Sequence, residues 1–368
     1  MTMRIDLVEP FLGGSHEAWA RGWAVRSRHD VDLFGLAANA WRWRMRGAST
    51  TLAASVDERA AVEGPPALLV ASDMVDLGDL LGRLRRTHHA VPAVLYLHEN
   101  QLTYPRQPGE PLDPGLAWTT WRNLTVADEI WCNSAFHRDE LLAALPPFLA
   151  AVPDGDHLHL LSAVTAKMRV LPVGVDLPPE NPGPRATPPL VVSNQRWHHD
   201  KDVDAVVRAL GQLARDGLDF RVAVLGDGHG GHADRIDPLL DELGDRVVAR
   251  GHQPRTEYLR LLADAEIVVS AARNEFFGIA VIEAVAAGAT PVLPSAVAYP
   301  ETMPAWAHPV ALYEPGTLRA ALRTAIVDAP ARRRAVAGLS AEMAPFGWDV
   351  LARIYDDAAE RVAATVEG

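Results

Sequence analysis

The stretch EIVVSAARNEFFGIAVIEAVAAGATPVLPS (266–295) decides the fold. Its first run, EIVVSA (266–271), and its last, TPVLPS (290–295), are short and apolar and read as buried strands. Between them a turn carries Glu275, and a helix starts near Gly278 and carries Glu283. Strand, crossover helix, strand is the repeating unit of a parallel sheet. The same alternation runs through the rest of the chain. Upstream lie RIDLV (4–8), ALLVAS (67–72), AVLYLHE (93–99), EIWCNS (129–134) and RVLPVGV (169–175). After a break come LVVSN (190–194), RVAVLG (221–226) and RVVARG (246–251). These runs are continuous rather than alternating, as strands covered on both faces require. DVDAVVRALGQLARDG (202–217) and TEYLRLLADA (256–265) carry helical spacing between them. The expected class is α/β, with doubly wound parallel sheets.

The proline-dense DLPPENPGPRATPP (176–189) divides the runs into two similar halves. The expected domains are a Rossmann-like one over 1–178, a linker over 179–189 and a second Rossmann-like one over 190–340. A helical tail over 341–368 is expected to pack back toward the first. Two such domains facing a central cleft would bind ligands at the carboxyl ends of both sheets.

Composition narrows the function. The 368 residues include 47 acidic and 35 basic side chains, a net charge of -12, and 48% hydrophobic residues, which is an ordinary globular balance. The single cysteine, Cys132, excludes an internal disulfide and a cysteine-rich metal site. No apolar run approaches the roughly 18–20 residues that span a bilayer, and MTMRIDLVEPF does not read as a signal peptide, so a cytoplasmic protein without a membrane partner is expected. The negative total argues against nucleic acid. Lysine occurs only at Lys167 and Lys201.

Glu275 and Glu283 lie eight residues apart, about two helical turns, and could edge one ligand or simply face water. A helix opening at Gly278 leaves backbone N–H groups for an anion. In VVSNQRWHHDKD (191–202), Arg196 and Lys201 follow a strand and suit a diphosphate, or are solvated charges beside Asp200 and Asp202. GDGHGG (226–231), with Asp245 beyond it, matches a dinucleotide fingerprint, yet it leads into HADRIDPLL and equally fits a glycine turn below a nucleotide pocket. In the first half, Gly13 and Gly14 permit close backbone approach, Ser15 can cap the next helix, and His16 follows. LYLHENQLTYP (95–105) groups His98, Glu99, Asn100, Gln101 and Tyr104 after a buried strand. Asn133, Ser134 and His137 either line the cleft or cap a helix. His157 and His159, in a loop or strand, have no carboxylate at ligand spacing, and no metal is expected.

Residues 190–295 resemble the donor domain of retaining family 4 glycosyltransferases of the GT-B fold. The resemblance rests on the E-x7-E of Glu275 and Glu283, on Arg196 and Lys201, and on PVGVD (172–176). It implies that Arg196 and Lys201 hold the donor diphosphate, Glu283 the ribose, and Glu275 the transferred sugar. Gly14 and the backbone at Phe277, Gly278 and Ile279 would also contact the donor, backbone around 251–258 would grip the base, and His98 would sit near the reacting centre. VEPFLGGSH (8–16), NAWRWRMRGA (39–48), LVASDMVDL (69–77) and LHENQLTYP (97–105) further resemble the first domain of the tRNA-queuosine mannosyltransferases. That family implies transfer of mannose from GDP-mannose to the cyclopentenediol of queuosine in the tRNA anticodon loop, with no cofactor or metal. Ser15, His16, Arg42, Arg44, Arg46, Asn100, Gln101 and Tyr104 would then face the acceptor.

Local charge is compatible with RNA. Residues 33–56 hold Arg42, Arg44 and Arg46 with Trp41 and Trp43 and no acid, and residues 80–98 hold Arg83, Arg85, Arg86, His88 and His89, again without an acid. The plainer alternative is an amphipathic segment with tryptophans inward and arginines solvated. Rival functions are a glycosyltransferase with a lipid or small-molecule acceptor, a GT-B epimerase, and a non-catalytic RNA-binding protein.

Overall fold

The computed structural model describes residues 2–106, 109, 111–153, 155–181, 183, 185–226, 228 and 232–365. It divides into two units, Met1–Val175 with Phe346–Gly368, and Asp176–Pro345. The first unit resumes at Phe346, so residues 341–345 of the expected tail belong to the second.

Unit 1 holds six parallel strands: β1 (Arg4–Leu12), β2 (Asp30–Ala37), β3 (Leu68–Ser72), β4 (Ala93–Leu97), β5 (Glu129–Cys132) and β6 (Met168–Val170). Their spatial order is β2-β1-β3-β4-β5-β6. Ile5 pairs with Leu68 and Leu95 with Ala71, which keeps the apolar runs in one buried layer. Every residue of β3 and β4 is buried, as helices on both faces of a parallel sheet demand. Helices start where the chain supplies an acceptor. Asp76 takes the N–H of Asp79, Asp113 those of Gly115 and Leu116, and Ser134 that of His137.

Unit 2 repeats the plan with β7 (Leu190–Ser193), β8 (Arg221–Leu225), β9 (Val247–Gly251), β10 (Ile267–Val269), β11 (Thr290–Pro294) and β12 (Leu312–Tyr313). Their order is β12-β11-β10-β7-β8-β9. In both sheets the first strand lies inside, and the chain reverses its winding beside it, between β1 and β3 and between β7 and β10. Such a switch point leaves a crevice at the carboxyl ends of the strands.

The helix Trp348–Ala363 is part of the core of unit 1. Trp348 lies where a Cβ on Gly22 or on Gly174 would meet its ring at 2.3 Å, so both glycines are needed for its packing. Tyr355 accepts from Trp19 Nε1 at 3.1 Å and donates to the Pro172 carbonyl at 2.9 Å. Asp356, 2% exposed, accepts from Trp23 Nε1, the Ser27 hydroxyl and the Arg28 backbone N–H at 2.9, 2.6 and 2.9 Å. Three donors converging on one buried carboxylate fix how this helix docks. Asp356→Ala strands all three and is expected to destabilise unit 1 by at least about 2 kcal/mol, read as a shifted denaturation midpoint. An unshifted midpoint would show that the helix docks by its apolar face alone.

Candidate active site

In unit 2 the candidate side chains gather at the switch point. β7 runs out into Asn194, Gln195 and the exposed Arg196, and the loop after β10 brings Asn274 and Glu275. Lys201, 8% exposed, donates from Nζ to the Asn274 carbonyl at 2.7 Å and to Glu275 Oε2 at 3.1 Å. It also lies 3.2 Å from Asp200 Oδ2. Burial opposes ionisation of Asp200, but the His198 hydrogen bond and the Lys201 charge outweigh it and hold its carboxyl well below the usual range. The Asp200 carbonyl accepts from the backbone of Arg273 at 2.7 Å and of Asn274 at 3.2 Å, so the two loops are joined by main chain as well.

Behind Glu275 lies a closed set of neutral partners. Gln195 Nε2 donates to Glu275 Oε2 at 3.4 Å and to the Tyr299 hydroxyl at 2.9 Å. Tyr299 donates to Ser270 Oγ at 2.8 Å, and Ser270 returns a bond to Gln195 Oε1 at 2.8 Å. Glu275 Oε1 faces the Phe277 N–H at 3.4 Å. Gly278 takes φ +100°, a conformation that favours glycine, and the helix Ile279–Ala286 begins there.

Glu283 stands on that helix and borders a cavity of about 380 Å³ through its partners. Asn194, Leu225, Gly226, His252, Gln253, Arg255 and Tyr258 line it, so part of the 251–258 segment forms its wall. Tyr258 donates to Glu283 Oε2 at 2.7 Å, and Arg255 lies 2.7 Å from Oε1. Burial pushes the Glu283 carboxyl up, against the pull of Arg255. Gly226 fits because a Cβ there would lie 2.3 Å from the Gln195 carbonyl. Asp227, His229, Gly230 and Gly231 of the GDGHGG segment fall outside the described residues.

Unit 1 has its own cluster at the β1/β3 switch point. Glu9, fully buried on β1, accepts from the Phe11 N–H at 2.9 Å and pairs with His16 Nδ1 at 3.0 Å. The His98 ring sits 4.0 Å from that of His16, centre to centre, and Trp19 and Tyr96 flank it at 5.0 and 4.8 Å. Asp73, at the end of β3, accepts from the backbone of His98 at 3.0 Å and of Glu99 at 3.4 Å. Burial opposes charge on His16, but Glu9, by charge and hydrogen bond, raises it to about 9, with Asp73 and Glu99 adding to the effect. Burial raises Asp73 to about 7, against the attraction of His16. His98 is driven well below its ordinary value by burial and then by the charges of His16 and His137. Among the described residues two groups could hold a metal ion, each with ligand atoms within 4.8 Å of one another: Glu9, His16 and His98, and His198, His199 and Asp200.

The structure places the remaining sequence candidates and corrects the expectation for Ser15. Ser15 does not cap the helix: Gly13 is the N-cap, with no side-chain bond, and the exposed Ser15 lies in the first turn. Asn100 is occupied by its own turn, where its Oδ1 accepts from Leu102 and Thr103 at 3.1 and 2.9 Å. Gln101 donates to Glu99 at 3.1 Å. Tyr104 is half-buried beyond them, and its N–H is bound to the Asn100 carbonyl at 3.2 Å. Asn133 and His137 are buried and bonded to each other at 2.9 Å, and Asn133 also holds the His98 carbonyl at 2.9 Å. Of the loop and strand alternatives, His157 takes the loop, and the short 3₁₀ turn Leu158–Leu160 that follows carries His159. The acid-free arginine stretches are not free of acids in space. Arg46 meets Asp113 at 2.5 Å and Arg83 meets Asp79 at 2.9 Å. His88 is buried against Asp6 at 3.4 Å. Arg42 stacks on Trp41 at 4.5 Å, Arg44 donates to Asn39 at 2.9 Å, and Trp43 is 68% exposed. One tryptophan is therefore half-buried near Met45, Met74 and Leu116, and the other faces water.

Glu9, Asp73, Gln195, Arg255, Tyr258 and Tyr299 were not singled out from the sequence. Glu9 carried a readable signal, since a carboxylate inside an apolar strand buried on both faces must have a partner.

Comparison with known proteins agrees with this division. Residues 4–175 match a family described as tRNA-queuosine alpha-mannosyltransferase N-terminal, and residues 178–335 match Glycosyl transferases group 1. The tRNA-queuosine alpha-mannosyltransferase of Drosophila melanogaster is 31% identical over 312 residues, 82% of this chain and 81% of that protein. A GDP-mannose-dependent alpha-(1-6)-phosphatidylinositol dimannoside mannosyltransferase of Mycobacterium tuberculosis is 27% identical over 287 residues, 73% of this chain and 67% of that protein. Among solved structures, sucrose-phosphate synthase from Thermosynechococcus elongatus aligns with a TM-score of 0.75 at 17% identity, over 98% of this chain and 99% of that one. That likeness is one of fold, the GT-B type.

The Glu9–His16 pair makes stability depend on pH. His16 holds its proton in the folded chain to about 9, above its ordinary 6.5, so the stabilisation is complete below 6.5 and lost as pH rises toward 9. The unfolding temperature is expected to fall across that window, and Glu9→Gln to remove most of the slope. A slope unchanged by Glu9→Gln would contradict the pairing.

Proposed function

The chain belongs to the tRNA-queuosine alpha-mannosyltransferase family and is a glycosyltransferase, and we propose that it moves mannose from GDP-mannose to the cyclopentenediol of queuosine in the tRNA anticodon loop. The observation that carries the donor half is the contact of Lys201 with Glu275 beside the Gly278 helix start, with Glu283 near the 380 Å³ cavity. One ligand can use all three. The base enters the cavity, the ribose hydroxyls replace Tyr258 or Arg255 on Glu283, and the diphosphate meets Lys201 and Arg196. The sugar hydroxyls take Glu275, whose position Gln195 and Lys201 fix in advance.

Transfer then needs no protein nucleophile. The C1–oxygen bond to the diphosphate breaks while the acceptor oxygen bonds to C1 on the same face, and a phosphate oxygen of the departing GDP takes the acceptor proton. Lys201, Arg196 and the N–H groups at Phe277 to Ile279 oppose the charge that grows on the leaving group, and no metal is required there. His98, on unit 1, orients the donor sugar or the acceptor. Its depressed basicity keeps the imidazole neutral at physiological pH, so it can accept or donate a hydrogen bond without adding charge. For the RNA, the exposed Trp43 offers a stacking face, and Arg42 and Arg44 lie beside it on the same helix. Among the described residues no helix is long and apolar enough to cross a membrane.

Three measurements test this reading. GDP should raise the unfolding temperature more than UDP or ADP, and equal shifts would remove the guanine assignment. Lys201→Ala and Glu275→Ala should each cut turnover by about 100-fold or more with the fold retained, whereas near-normal turnover in either would remove the mechanism. Changing Arg42, Arg44 and Arg46 together to Ala should weaken tRNA binding and flatten its dependence on salt. An unchanged slope would place the RNA elsewhere.

A further inference from the structure

We propose that Glu9, His16 and His98 form a binding site for a single divalent transition-metal ion of the Zn²⁺ class on unit 1. The donor set is two imidazoles and one carboxylate, a combination that binds zinc and leaves a coordination position open for another oxygen ligand. The three ligand atoms already lie within 4.8 Å of one another, and all three residues are buried. Glu9 Oε2 is 3.0 Å from His16 Nδ1 and 3.8 Å from His98 Nε2.

The second observation is His98 itself. Its side chain is 4% exposed, and its Nε2 is buried with no hydrogen-bond partner among the described residues. A buried imidazole nitrogen left unmet is uncommon, and this one faces a carboxylate at a distance too long to bond and suited to a shared ion. Its surroundings hold it there. Asp73 binds the His98 N–H, Asn133 binds the His98 carbonyl at 2.9 Å, and Trp19 and Tyr96 wall the ring. Glu9 is aimed in the same way, because its other oxygen is held by the Phe11 N–H at 2.9 Å. Metal ligands are characteristically oriented by such outer contacts. Bound metal takes the place of the proton that His16 shares with Glu9, so binding releases a proton and strengthens as pH rises. None of its ligands belongs to unit 2, and it shares His98 with the proposed transfer site.

The test uses the full chain after dialysis against a chelator, with Co²⁺ as the visible probe and Zn²⁺ as competitor, and no nucleotide sugar or tRNA. One Co²⁺ per chain should bind, give the absorption of a low-coordinate site, and be displaced by Zn²⁺. His98→Gln and Glu9→Gln, which keep side-chain bulk, should each weaken binding by about 100-fold or more. A chain with both His198 and His199 changed to Ala should bind as before, which separates this site from the histidine pair in unit 2. The proposal is overturned if the unaltered chain takes up no Co²⁺ or Zn²⁺. Binding that survives His98→Gln or Glu9→Gln, or is lost with His198 and His199, overturns it too. The readout contains neither substrate, so these outcomes leave the transfer reading untouched except for the role given there to His98, which a bound metal would hold.

Discussion

A buried ammonium cannot be left without partners, and Lys201 meets that constraint by gathering the loops at the switch point of unit 2 around itself. Its Nζ spends its bonds on the Asn274 carbonyl and Glu275, with Asp200 close by. Removing a charge from water costs several kcal/mol unless such partners are supplied. The lysine therefore does two things at once. It draws the loop after β10 against the loop after β7, and it holds Glu275 in a fixed pose. Unit 1 solves the same problem with different groups, since Glu9 is buried on its innermost strand and pairs with His16. In each unit the charged pair sits where the strand order reverses, the one place where a doubly wound sheet leaves side chains at its edge uncovered by helices.

Much of this was legible in the residues, and for definite reasons. The strands announced themselves because a sheet covered on both faces needs uninterrupted apolar runs, and β3 and β4 are buried throughout. Lys201 was conspicuous through the scarcity of lysine, and Glu275 and Glu283 through spacing along one turn and helix. What escaped was whatever depends on partners remote in sequence. Tyr258 and Arg255 reach Glu283 from another helix, 25 and 28 residues away, and nothing local marks them. Arg46 looked unopposed because its carboxylate, Asp113, lies 67 residues on. Ser15 suits a cap by residue type, but helix starts are set by backbone geometry, and the chain turns at Gly13.

The negative total charge deserves a local reading for the same reason. A net charge of -12 describes the average surface, while the helix Trp41–Glu63 begins with arginines and an exposed tryptophan. Its arginines are nonetheless partly engaged, by Asn39, Trp41 and Asp113. An RNA contact built from such groups is small, and its arginines must exchange these partners for phosphate. Recognition by this route would rest more on stacking and on the modified base than on charge.

The central claim is a sugar transfer that depends on one modified nucleoside. It is tested most directly by incubating the chain with GDP-mannose and tRNA, digesting the tRNA to nucleosides and analysing them by mass spectrometry. The account predicts an α-linked mannosyl group on queuosine, formed with retained configuration, and no product from the same tRNA lacking queuosine. Equal labelling of both tRNAs, or an inverted linkage, would contradict it.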